Sequence, residues 1–87
     1  MGETSGIPRL VIVEWHDARF YSGTRKRNEI DNFRMALFKS VGYLLAQNEH
    51  TTIIASECND EEEYRDVTLI PTGSVVSVKG LTPSPLV

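Results

Sequence analysis

The chain has 87 residues, with nine Lys and Arg against twelve Asp and Glu and a formal net charge of −3. That length fits one domain with a small core, and the negative balance argues against a general nucleic-acid coat protein while leaving room for a local basic patch. The single cysteine, Cys58, has no internal partner, which points to a reducing compartment.

No apolar run approaches the ~18 residues that span a bilayer. Met1 to Pro8 is polar, contains two glycines and lacks the apolar stretch of a secretion signal. A cytoplasmic protein without a membrane segment is expected.

Residues 1–8 read as a frayed tail and residues 9–81 as the domain. Leu10-Val-Ile-Val-Glu-Trp15 is short, apolar and β-branched, so it is predicted to be a strand buried on both faces. Asp17 to Arg27 is a loop by composition, broken at Ser22-Gly23-Thr24. Arg19, Phe20, Tyr21, Arg25, Lys26 and Arg27 lie in it, and with Arg34 the stretch is the most basic in the chain.

Asn28 to Gln47 admits two readings. Ile30, Phe33, Leu37, Val41 and Leu44 recur at helical spacing, and Asn28 with Asp31 resembles a helix start, so one helix from Glu29 to Ala46 is a serious alternative. Against it, Gly42 in a helix interior costs about 1 kcal/mol, and Ser40-Val41-Gly42-Tyr43 suits a bent strand. The reading adopted is a short helix over Asn28–Arg34, then a long strand from about Leu37 to Ala46. That strand carries apolar residues on both faces, which suggests that one face meets another subunit or the inserted helix.

Gln47 to His50 is a turn by residue type. Thr51 to Ser56 and Tyr64 to Ile70 read as strands, joined by a hairpin loop holding Glu57, Asp60, Glu61, Glu62 and Glu63. Pro71 cannot donate to a sheet ladder and marks a strand end. Only Pro71, Thr72 and Gly73 separate that strand from the next, which suits a single helical turn, with Gly73 expected to supply a backbone twist that a bulky residue resists. Residues 82–87 read as an extended tail. The sum is an all-β fold: a small, five-stranded, strongly bent barrel with a short helix between strands one and two.

The patterns Ser40-Val41-Gly42-Tyr43-Leu44, Ile53-Ile54-Ala55 and Ile70-Pro71-Thr72-Gly73-Ser74-Val75, opened by Val13-Glu14-Trp15, resemble small phage-borne or environmental proteins with an Sm-like barrel. The resemblance covers roughly residues 10–81. The Ile-Pro-turn-Val ending also resembles Src-homology-type barrels. In the Sm-like first motif a glycine is followed by an apolar residue and then an aspartate; Gly42 and Leu44 match, Asn48 stands at the aspartate, and Thr51-Thr52 replace the usual Met-Asn pair. No counterpart of the Arg-Gly of the second motif is visible. The resemblance implies a cyclic homo-oligomer joined through edge strands, with single-stranded RNA bound near a pore.

Candidate chemistry follows. Arg19, Phe20, Tyr21, Arg25, Lys26 and Arg27 combine cations with aromatics, as single-strand binders do; the plain alternative is a solvated loop. Asn48 and His50 sit in a turn that lines the pore if a ring forms, or simply closes a hairpin. The pairing expected in a ring joins strand Tyr64–Ile70 to the neighbour's Thr51–Ser56 or to its last strand. Glu14, His16 and Asp17 cluster without a second ligand at metal spacing, so a strand end is the better reading and neither metal nor cofactor is expected. Cys58 beside acids is disfavoured as a thiolate. The acidic run reads as a solvated loop. No triad order, phosphate loop or paired-cysteine motif is present, so a non-enzymatic binding module is expected. The alternative is a structural or protein-interaction module, such as a phage accessory protein, that binds no nucleic acid.

Overall fold

A computed structural model describes residues 7–82. Five strands form one antiparallel sheet: β1 (Leu10–Asp17), β2 (Ala36–Gln47), β3 (Thr51–Cys58), β4 (Tyr64–Pro71) and β5 (Val75–Gly80), in the order β4-β3-β2-β1-β5. A single turn of helix, α1 (Arg27–Ile30), lies in the insert between β1 and β2, and a 3-10 turn over Thr72–Ser74 joins β4 to β5. No helix among the described residues is long and apolar enough to cross a membrane. The expected tails fall mostly on residues 1–6 and 83–87, outside the described residues.

The alternation of side chains along each strand sets the core. In β1, Val11 and Val13 are fully buried, while Leu10 and Ile12 on the opposite face keep some exposure. Val11 and Val13 meet Ile54 and Ile70, and Trp15, Leu44, Val75 and Val78 pack around them. Each fully buried aliphatic side chain contributes about 1.5–3 kcal/mol, so four such residues make a thin core. Thr52 is also fully buried, with its hydroxyl 3.0 Å from that of Thr72.

Strand β2 serves both halves of the sheet. Ala36–Tyr43 pairs with β1 and Tyr43–Gln47 with β3, with a register shift between Leu44 and Ala46. The hinge between these halves is Gly42. A Cβ there would stand 2.8 Å from the Ala55 carbonyl oxygen and 3.1 Å from the Ile54 Cβ. Glycine lets β3 come that close.

The structure corrects four expectations. The helix expected over Asn28–Arg34 is only the four residues Arg27–Ile30; the apolar residues after it belong to the loop and to β2. The sheet does not close into a barrel, because β4 and β5 are its two ends and do not pair. Strand β3 is flanked by both β2 and β4, which removes it as an edge for a neighbouring subunit. Gly73 takes no left-handed conformation, since Gly23 (φ 87°) is the one positive-φ glycine among the described residues, and a Cβ at Gly73 would meet nothing within 4 Å. The unusual backbone of this region lies at Asp66 instead, which holds φ 56° inside β4.

Candidate nucleic-acid interface

The insert is held together by short-range bonds that its own residue types dictate. Asp17 opens it by accepting the Ala18 N–H at 2.9 Å. Gly23 supplies a left-handed turn. Glu29 accepts the Lys26 N–H at 2.8 Å and fixes the start of α1, as a carboxylate three residues into a helix commonly does. Arg27 pairs with Asp31 at 3.0 Å, and Phe33 N–H reaches the Ile30 carbonyl at 2.9 Å.

These turns bring together residues far apart in the chain. The Tyr21 and Phe33 rings stack with centroids 3.9 Å apart at 15°. Arg19 Nη1 donates to the Tyr21 hydroxyl at 3.1 Å. Around this stack lies a cleft of about 210 Å³ lined by Arg19, Tyr21, Phe33, Arg34 and Met35. Phe20, at 90% exposure, stands almost wholly in solvent.

The cations of the insert are unequally engaged. Arg27 is spent on Asp31. Arg25 donates to the Ser22 carbonyl and Arg34 to the carbonyls of Asp31 and Phe33, bonds that orient a guanidinium without cancelling its charge. Among the described residues, Arg19, Arg25, Lys26 and Arg34 have no carboxylate at ion-pair distance. Two positive charges beside stacked rings, Arg19 and Arg34, with Arg25 and Lys26 on the same insert, suit an anion that carries flat groups.

The sequence-based set is therefore only partly assembled. Arg19, Phe20, Tyr21, Arg25, Lys26 and Arg27 share the insert, but Asn48 and His50 lie at the far end of β2, about 40 Å of strand away at ~3.3 Å per residue. Asn48 Oδ1 accepts from the N–H groups of His50 and Thr51 at 2.8 and 2.9 Å. The turn is tied to the 3-10 segment, with Thr72 donating its hydroxyl to the Asn48 carbonyl at 2.8 Å and its N–H to the His50 carbonyl at 3.1 Å. His50 Nε2 lies 3.1 Å from Glu49. Phe33 and Met35 were missed because Phe33 fits the helical apolar stripe and so reads as core.

Elsewhere, Glu14 accepts from the Ser77 hydroxyl at 2.8 Å and lies 3.6 Å from Lys39. The Ser77 bond, aided by Lys39 and Lys79 against some desolvation, holds its carboxyl below the ordinary value. The acidic hairpin is organised by Asn59, whose Oδ1 accepts from Glu61 and Glu63 N–H groups, both at 2.9 Å. A second cleft there is lined by Glu57, Cys58, Asn59, Glu63, Tyr64 and Arg65, with Arg65 held by Glu57 at 3.1 Å; its carboxylates repel phosphate.

The fold class is an open, five-stranded antiparallel sheet with a basic, aromatic insert. Comparison with protein-family models, curated proteins and solved structures finds no match for the chain.

Proposed function

We propose that this protein is a non-enzymatic, cytoplasmic binding module for single-stranded RNA that works as a cyclic homo-oligomer, with the β1–β2 insert as its nucleic-acid surface. The observation that carries this reading is the Tyr21–Phe33 stack, set in a cleft lined by Arg19 and Arg34, with Arg25 and Lys26 on the same insert; among the described residues none of these four cations has a carboxylate at ion-pair distance. Stacking on an aromatic side chain contributes about 1–3 kcal/mol per base, and Phe20 offers a further exposed ring. The acids concentrate on the β3–β4 hairpin, so a negative chain keeps a positive insert.

Assembly is supported by the sheet's open ends. Strands β4 and β5 each leave one edge unpaired, and a head-to-tail contact between unlike edges closes into a ring when the rotation allows. A ring multiplies weak sites by avidity. The one-turn connection between β4 and β5 supports kinship with Sm-like proteins, including the small phage-borne ones. The competing reading, a protein-interaction module without nucleic acid, draws on Val41, Val67 and Leu69, which are exposed at 54%, 44% and 64%.

Fluorescence anisotropy with labelled oligo-uridine and oligo-adenine, read beside the mass in solution, tests the proposal. Four phosphate contacts on a single strand give a salt slope of about −2.8, a loss of about fiftyfold between 50 and 200 mM salt. The Arg19→Ala, Arg34→Ala double variant halves that slope. Absence of binding at low salt, or binding indifferent to salt, refutes the proposal. A monomer of 9.8 kDa removes the ring.

A further inference from the structure

We infer that the strand path continues from the insert onto a second aromatic station, the Trp15–Phe38 pair at the root of the sheet, which makes the ligand a single strand with unpaired bases at consecutive positions. The inference rests on the RNA-binding reading above and extends it to residues that carry no cation.

Trp15 and Phe38 are direct cross-strand partners in β1 and β2, with centroids 5.4 Å apart at 28°. They play unequal parts. Trp15 packs against the core and donates Nε1–H to the Ser40 hydroxyl at 3.0 Å, so its indole is fixed. Phe38 lies on that indole yet is 46% exposed. A ring backed by a second, fixed ring, with one side in water, is the form of a stacking platform.

Its position suits the same strand. Met35, which lines the insert cleft, precedes Phe38 by three residues, about 10 Å of extended chain. One strand therefore reaches both stations. On the neighbouring protein strand β1, Trp15 leads through Asp17 into Arg19 of the cleft. Alternation places Asp17, Trp15, Ala36, Phe38 and Ser40 on one side of the sheet and Glu14 and Lys39 on the other. Asp17 is the one carboxylate among those five; its Oδ1 accepts the Ala18 N–H, a bond that orients the group and leaves its charge in place. A duplex hides its base faces, so it has nothing to lay on Phe38.

Trp15 is the sole tryptophan and reports on the station directly. Unlabelled oligo-uridine of increasing length is titrated while Trp15 emission is read, beside anisotropy of the labelled strand. The inference predicts quenching that appears only once the strand is long enough to leave the cleft, and none with duplex RNA. Phe38→Leu weakens single-strand binding about tenfold at unchanged salt slope, and Phe38→Tyr restores it. Full-affinity binding with unchanged Trp15 emission and no effect of Phe38→Leu overturns the second station and leaves the insert site standing. Absence of binding overturns both.

Discussion

The close approach of β3 to Gly42 yields the sharpest stability prediction. In Gly42→Ala the new methyl meets the Ala55 carbonyl oxygen at 2.8 Å and the Ile54 Cβ at 3.1 Å. Both belong to β3, which is held on either side by β2 and β4, so neither can swing away. Overpacking of this kind costs about 1–3 kcal/mol. Alanine offsets part of that, about 0.4–1 kcal/mol, by restricting the unfolded chain. The expected net loss is about 0–2.6 kcal/mol, which lowers Tm by up to roughly 20 °C in a domain of this size. Gly73→Ala is the control, because its methyl enters open space; it receives the same entropic gain and should be neutral or more stable by about 0.4–1 kcal/mol. Guanidinium unfolding followed by Trp15 emission measures both. If Gly42→Ala proves as stable as Gly73→Ala, close approach of β3 is not what Gly42 provides.

Asn48→Ala removes the acceptor for two backbone N–H groups and should cost about 1–2 kcal/mol in urea unfolding, whereas Asn48→Asp keeps that oxygen and most of the stability. Glu14 gives a pH dependence. Its folded pKa lies below the ordinary 4.5, so its contribution is complete above the unfolded value and is lost as pH falls through the folded one. Glu14→Gln should therefore lower stability near neutrality, where the carboxylate's contribution is complete, and converge with the parent chain as pH falls below about 4.5, flattening the acid side of the profile; thermal unfolding across a pH series measures this, and an unchanged acid limb counts against the Ser77 bond as the cause.

What could be read from the residues and what could not divides along physical lines. The β4–turn–β5 element was legible because Pro71 ends a ladder chemically and three residues leave room for one turn. The second strand was legible only through Gly42, since its apolar residues also fit a helix; the choice was settled by a close backbone contact that no periodicity reports. The glycine that matters was misplaced, because Gly73 follows Pro71 by two residues and looks like a turn glycine, while the approach of β3 to Gly42 is a tertiary fact. Closure was overread: alternation reveals which face is buried but not whether the end strands meet. In the site, the basic character of the insert was plain from composition. The Tyr21–Phe33 stack was not, because the two rings are separated by Gly23 and α1, and stacking across such a loop leaves no local pattern. Asn48 and His50 were assigned to the site because a ring would set their turn at a pore, and the length of β2 puts them at the far end from the insert.

The central claim is that the insert is the nucleic-acid surface. The most direct measurement is a nitrogen-15 amide NMR titration of the whole chain with unlabelled oligo-uridine. The account predicts concentrated shift changes at Arg19–Tyr21 and Phe33–Phe38, with the acidic hairpin Asn59–Glu63 unmoved. Changes confined to Asn48–His50 and Thr72–Ser74, or no changes at saturating strand, would contradict it.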